Sequence, residues 1–499
     1  MNWRCLFLPL VFLAGPLGAQ QTLTLGDYLS QVKAQGSDYQ AQAAAVEGYE
    51  KQSHQQDLTY SPVLTASYNH EDDQSTQANP FAGPHTQSDT AGVSITDILP
   101  FGPKLSVGYE FLNINSPLSD VENEFFANAG INPSVIPTSY YQLSPVISLS
   151  VPLFKDFGGA QTGAGVKEVQ YQFESAAHSA AFQRDQEFYN AKVAYWNLAL
   201  ARQALAIRQD TLDRTQKIWD WTQKRVARNL ADPPDALQAE ASVRLAALDL
   251  DMAQQQERSA RLSFNRYRGA SADDVPEQLE DLQSSLDQSA FGIPADLPER
   301  LDLKASEDTA AQQKAAYDAA HQNVYPDITA KADWRGNGLD PQFGPANSQA
   351  FSVDHPTYDI GAQFNLPLDV FTASQVAEGF KKNYESAALA LKDKQVQVAQ
   401  DWKDLSDKLS DVNQRLDMTA QIEAIQKTKA DQEKARLDYG RTTEFQLLSF
   451  ENDYNAARLN HLSVIAEKLT LLAEAQWWLS TEADATGVNP SATPTGATP

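Results

Sequence analysis

Glu433-Lys434-Ala435-Arg436-Leu437-Asp438-Tyr439-Gly440-Arg441-Thr442-Thr443-Glu444-Phe445 lies inside a run that has no proline between Pro367 and Pro490. A proline within a helix removes a hydrogen bond and clashes with the preceding turn, so a proline-free run of this length permits very long helices. Its mid-stretch glycine, Gly440, tolerates the left-handed conformation of a helix end and marks where the run folds back. The stretch predicts a helical hairpin with one arm over about 372–438 and the other over about 443–480. At 1.5 Å per residue the first arm is roughly 95–100 Å long, more than a globular core can use.

The pattern occurs twice. Pro62-Val63-Leu64-Thr65-Ala66 matches Pro326-Asp327-Ile328-Thr329-Ala330, and Val151-Pro152-Leu153 matches Leu366-Pro367-Leu368. Phe173-Glu174-Ser175-Ala176-Ala177 matches Tyr384-Glu385-Ser386-Ala387-Ala388, and at that same offset Glu240 falls opposite Glu451 and Asn229 opposite Gly440. Asn is the next most tolerant residue of a left-handed turn. The first half is likewise free of proline between Pro152 and Pro233. The shared order predicts an internal duplication. Residues 20–269 form the first repeat, 270–298 an irregular acidic linker, and 299–481 the second repeat, with a disordered Ala-, Thr-, Pro- and Gly-rich tail over 482–499.

Arg4, the apolar run Leu6 to Leu13 and the small-residue exit Leu17-Gly18-Ala19 read as a secretory signal over 1–19. The single cysteine, Cys5, precedes the apolar core, so no lipid anchor is expected, and disulfide and thiol chemistry are excluded from the chain after Ala19. No later run of 18 apolar residues predicts a transmembrane helix, which leaves a closed β-barrel as the route into a membrane. Asp and Glu outnumber Lys and Arg by 65 to 39, a net charge of −26, which argues against nucleic acid and anionic lipid surfaces as partners. In a pore the same balance favours cations.

Along the chain, Leu25 to about Tyr60 reads as one helix capped by Thr24. Alternation then marks strands: Leu105, Val107, Tyr109 and Phe111; Ile147, Leu149, Val151 and Leu153; Tyr358, Ile360, Ala362, Phe364 and Leu366; and, less cleanly, Ile328, Ala330, Ala332 and Trp334. One apolar and one polar face fit lipid outside and water inside. A soluble half-exposed sheet has the same period; the signal and the aromatic strand ends (Phe101, Tyr140, Tyr141, Phe154, Phe371) favour the barrel. Residues 73–88, 115–142 and 337–356 read as surface loops. A long helix is expected from about 157 to 228, and Asp232-Pro233-Pro234-Asp235 opens a helix that runs to about Arg268 and is closed by Gly269. Residues 299–323 form a helix before the second strands.

This ordered set resembles the TolC family of outer-membrane efflux proteins over about residues 22–482. The resemblance is carried by Leu25-Gly26-Asp27-Tyr28-Leu29, by Pro62 and Pro326 at helix-to-strand junctions, and by Val151-Pro152-Leu153-Phe154 and Leu366-Pro367-Leu368 at strand-to-helix junctions. Arg300-Leu301-Asp302-Leu303 resembles the mid-chain motif, and Arg436 through Gly440 to Leu448 the tip turn. It implies an α+β membrane protein: a homotrimer sharing one β-barrel in the outer membrane of a Gram-negative bacterium, continued by an α-helical barrel through the periplasm. It implies a passive exit duct of a tripartite efflux pump or type I secretion system, docking with a periplasmic adaptor (membrane fusion) protein and an inner-membrane pump or ABC transporter. The competing reading is a soluble periplasmic coiled-coil scaffold or adaptor-like protein.

Two features depart from the family pattern of two strands per repeat and an acidic tip ring. Residues 91–99 and 104–112, around Leu99-Pro100-Phe101-Gly102-Pro103, add a hairpin signal, read preferentially as one bent pair rather than as further strands. At the tip, Gln446 and Ser449 stand where aspartates are common, so a strong cation ring is in doubt; Asp235 matches an acidic position, with Glu444, Glu451 and Asp453 nearby. Candidates for the periplasmic entrance are Asp235, Arg441, Glu444, Gln446 and Ser449, with Asn229 and Gly440 at the tip turns and Arg225, Arg228, Lys434 and Arg436 as cations able to pair with these acids. Gly158-Gly159-Ala160-Gln161-Thr162-Gly163 resembles a phosphate loop but lacks the following Lys-Ser/Thr and reads as a turn into a helix. The seven histidines lack metal spacing and no nucleophile–base set is present, so no enzyme activity, metal or cofactor is expected.

Overall fold

The computed structural model describes residues 22–75, 85–289, 299–352, 354–366, 368–439 and 441–479. The expected signal, the C-terminal tail and Gly440 lie outside the described residues. The chain divides into two compact units, one of Gly48–Ala177 with Ala305–Asp393, the other of Met1–Glu47, His178–Lys304 and Lys394–Pro499.

In chain order the elements are β1 (Thr22–Leu23), α1 (Leu25–Gln35), α2 (Ser37–Ser53), β2 (Val63–Asp73), β3 (Thr86–Ile98), β4 (Lys104–Asn115), α3 (Asp120–Asn128), β5 (Ser139–Pro152), α4 (Ala160–Val226) and α5 (Pro233–Tyr267). There follow β6 (Gln278–Leu279), α6 (Leu282–Gln288), α7 (Leu301–Gln322), β7 (Asp327–Arg335), β8 (Gly338–Asp340), α8 (Phe343–Ala350), β9 (Thr357–Asn365), α9 (Val370–Asp438) and α10 (Glu444–Trp478). Helices α4 and α9 run for 67 and 69 residues. Among the described residues no helix is long and apolar enough to cross a membrane.

The sheet unit carries a seven-stranded antiparallel sheet, β2-β3-β4-β5-β7-β9, with β8 pairing the outer end of β5. The expected additional hairpin is therefore two full strands, of 13 and 12 residues, and not one bent pair. The reason is local. Gly102, at φ 102°, turns the chain between β3 and β4, and the turn lies so close to Gly159 that a Cβ on Gly159 would meet the Pro100 carbonyl. The glycines of the supposed phosphate loop thus make room for the extra turn. Beyond it, Asp156 caps α4, its Oδ1 accepting from the Gln161 and Thr162 amides at 2.8 and 2.9 Å. Asp369 caps α9 in the same way, accepting from the Thr372 amide at 2.9 Å and its hydroxyl at 2.6 Å.

Register sorts the sheet into two chemical faces. Leu64, Ile95, Val107, Ile147, Trp334 and Tyr358 stand side by side across all six long strands. The next row, on the opposite face, is Val63, Thr96, Ser106, Ser148, Asp333 and Asp359. The apolar face is open: Ile360 is 85% exposed, and Tyr358, Tyr68 and Leu64 are similarly bare. The polar face is the hollow one. Thr65 and Ser67 of β2, Ser94 of β3, Ser106 and Glu110 of β4, Ser148 of β5 and Arg335 of β7 line one cavity of about 390 Å³. At the loop end of the apolar face, α8 lies against the sheet, burying Leu143, Ala346 and Ala350, with Phe343 and Phe351 against Phe111, Tyr141 and Tyr109.

The helical unit is organised around the motif at the start of α1. Tyr28 is fully buried, stacks on Phe264 at 4.1 Å and donates to the Phe264 carbonyl at 3.1 Å. Tyr195, whose hydroxyl donates to the Leu23 carbonyl at 2.7 Å, completes this cluster with Ile465 and Leu469. Thr24 caps α1, accepting from the Asp27 amide at 3.1 Å. The single helix expected over 25–60 is broken at Gly36, where the backbones of α1 and α5 meet: a Cβ there would lie 2.5 Å from the Tyr267 carbonyl. The linker expected to be irregular contains β6, paired in parallel with β1, and the short helix α6.

Candidate functional site at the hairpin tips

The candidate entrance residues belong to the helical unit, at the turns joining α4 to α5 and α9 to α10. In the first turn Asn229 has φ 54°, and the Leu230 amide donates to the Arg225 carbonyl at 2.8 Å, closing the end of α4. Arg225 seals the turn from the side, its guanidinium 4.5 Å from the Trp221 ring and donating to the Leu230 carbonyl at 3.0 Å. Pro233 and Pro234 then start α5 with φ already set for a helix. Asp235, exposed, accepts from the Asp232 amide at 3.2 Å, so its carboxylate is committed to holding this start.

In the second turn the Arg441 amide donates to the Arg436 carbonyl at 2.9 Å. Thr443 caps α10, accepting from the Gln446 amide at 3.2 Å. Glu433, 3% exposed, is the anchor: Thr442 donates to one carboxylate oxygen and Arg436 to the other at 3.0 Å. Glu444 is the first residue of α10; Gln446 and Ser449 follow on one exposed face, three residues apart. Arg441 is exposed and stands 5.9 Å from the Tyr439 ring.

The two turns share one crevice of about 330 Å³, lined by Trp221, Arg225, Leu230 and Asp235 from the first and by Thr443 and Phe445 from the second. Asp235 and Arg441 are thus engaged separately. Of the basic residues expected to face the acids, Arg225 stacks on Trp221 and Arg436 holds Glu433. Two of the acids suggested as stand-ins for a cation ring, Glu451 and Asp453, are paired within the chain. Glu451 binds Arg214 at 2.6 Å and Asp453 binds Lys429 at 2.8 Å. Burial lowers the Arg214 guanidinium, but Asp210 and Glu451 outweigh it and hold the group above its ordinary value. Glu433, Glu451 and Asp453 are thus each held by a cation of the same chain. Sequence reading missed Glu433, Trp221 and Phe445; the four-residue spacing of Trp221 and Arg225 on one helix face was the available signal.

A second polar centre lies at the start of α7. Arg300, 6% exposed, grips Asp302 with two hydrogen bonds of 2.9 and 2.8 Å, while Lys394 reaches the same carboxylate at 2.7 Å. The Arg300 guanidinium also stands 4.3 Å from the Trp478 ring. Burial raises the Asp302 carboxyl, but Arg300 and Lys394 outweigh it and hold the group below the ordinary carboxylate range. Among the described residues no group of three or more His, Cys, Asp or Glu could hold a metal ion.

No protein-family model and no curated protein matches the chain. Solved structures do. The outer membrane channel CmeC of Campylobacter jejuni matches at a TM-score of 0.60 and 12% identity, over 91% of this chain and 85% of that one. The open state of the outer membrane channel MtrE of Neisseria gonorrhoeae matches at 0.60 and 14%, over 91% and 88%. The outer membrane protein VceC of Vibrio cholerae matches at 0.58 and 14%, over 91% and 95%. The chain has the fold of the TolC family of outer-membrane channels.

Proposed function

We propose that this chain is the exit duct of a tripartite efflux pump or type I secretion system, a passive conduit with no chemistry of its own. The observation that carries the reading is the sheet: six long strands with a continuous bare apolar face and a hollow polar face. Water rewards the reverse exposure, whereas lipid outside and water inside reward this one. Six strands do not close alone, so the sheet becomes a barrel by sharing its wall among copies, which we take to be three. The helical unit, with its tip turns, is the part that meets an adaptor and an inner-membrane transporter. Asp235, Arg441, Glu444, Gln446 and Ser449 form the entrance on this reading.

The proposed duplication, with repeats over 20–269 and 299–481, is supported by the two Asp-capped strand-to-helix junctions and by the matched helix lengths. A soluble scaffold gives no account of an exposed face built from Leu, Ile, Val and Tyr. The protein extracted in detergent is expected to give discrete, cation-biased conductance steps in a planar bilayer. Solubility without detergent and no conductance, even with Asp235 and Arg441 neutralised, would establish the scaffold instead.

A further inference from the structure

We infer that the β3–β4 hairpin widens the shared barrel, so that three copies close a wall of eighteen strands, where two strands per repeat would close one of twelve. The inference rests on the trimeric conduit proposed above and concerns the bore of its membrane portion.

The hairpin is part of the wall, not an appendage. β3 pairs with β2 over eleven residues and with β4 over twelve, and β4 pairs with β5 over twelve, so both strands are bonded on both sides. Both faces run through it unbroken: Ile95 and Val107 continue the apolar row, Thr96 and Ser106 the polar row. The curvature runs through it as well, since the polar cavity extends from β2 across β3 and β4 to Arg335 of β7.

The partner at each edge is a second copy of this chain. All neighbouring long strands are antiparallel, and their number is even. β9 therefore runs opposite to β2, and β9 of one copy can meet β2 of the next without breaking the alternation. The two edge strands match in length, 11 and 9 residues. Neither Val63–Asp73 nor Thr357–Asn365 contains Lys or Pro, two of the residues by which soluble sheets guard an edge, and the acids of β2 are confined to its last three positions, Glu71 to Asp73.

With strands about 4.8 Å apart and tilted about 40°, eighteen make a barrel about 36 Å across between backbones, and twelve one of about 24 Å. The wider wall encloses a lumen faced with Ser, Thr and the Glu110–Arg335 pair.

Ser148 of β5 faces the polar side and stands in the wall whichever count holds. The test is S148C in a C5S background, spin-labelled, with distances measured among the copies in detergent and the mass determined by light scattering. In a trimer the backbone separation at that site is about 31 Å for eighteen strands and about 21 Å for twelve, both shifted alike by the label. Three chains with the longer distance, shrinking by about 10 Å when residues 86–115 are deleted, is the expected result. Three chains with the shorter distance in the intact protein overturns the widened barrel and leaves the conduit standing. Absence of a three-chain species overturns the trimer beneath both. Should the deletion variant not fold, the distance in the intact protein decides.

Discussion

Arg300 shows what a single buried charge does here. Its partners come from three places: Asp302 two residues on, with Asp401 at 3.6 Å and the Trp478 ring far along the chain. Replacing Arg300 with Leu takes the guanidinium away from the Asp302 carboxylate, which Lys394 still reaches, and R300L is expected to lose about 3–5 kcal/mol, read as a lowered Tm in detergent. Asp302 titrates lower in the folded state than in the unfolded one. Its contribution is complete above the ordinary carboxylate range and disappears as pH falls through the lowered value, so D302N should flatten the acid limb of a stability profile. Glu474 has the opposite sign. Burial raises its pKa, Lys408 partly offsets this and Asp404 adds to it. The fold favours its protonated form, and that contribution is present at low pH and lost as pH rises through the raised value. E474Q should therefore raise Tm at pH 8 and leave it unchanged at pH 4; equal effects at both would discount the titration. The motif Arg300-Leu301-Asp302-Leu303 was legible as a motif, but its grip on Lys394 was not, because spacing along a sequence carries no record of contacts some ninety residues away.

At the scale of elements, local chemistry was readable where it acts over four residues or fewer. Thr24 as a cap, Pro233 opening α5 and the alternation of β4, β5 and β9 all follow from short-range rules. Three features depend on backbone approaching backbone and were misread or missed. Gly36 interrupts a helix because the end of α5 sits against it. The β3–β4 turn fits against the start of α4 because Gly159 has no side chain. α8 forms inside an expected loop because the Ala346 and Ala350 carbonyls come up against Gly338 and Gly336, with Leu143 packed beside them. At the tip the local rules give a test. N229V, with a branched side chain at φ 54°, should cost about 1–2 kcal/mol, whereas N229G should be close to neutral. Hydrogen exchange at the Leu230 amide is the readout; equal protection in both variants would show that the turn does not depend on the left-handed residue. Removing the Asp235 side chain with D235A should loosen the start of α5 by about 0.3–1 kcal/mol.

For the whole molecule, the strand pattern pointed to a two-faced sheet, but alternation says nothing about which strands are neighbours or which face is concave. Register and curvature supply both. Pairing β9 of one copy with β2 of the next is the same operation at every step, so nothing in the bonding pattern of the edges tells a growing ring to stop. The instruction to stop has to be geometric. A sheet that turns through a third of a circle around its polar face closes on the third copy; a flatter one passes its own starting edge and continues as a ribbon. The small side chains on the hollow side, Gly108 between Ser94 and Val146 among them, let the strands bend inward there. Bulk placed on that side is then an error in counting before it is an error in folding, and it should surface as a ladder of assembly sizes from a chain whose individual copies are sound.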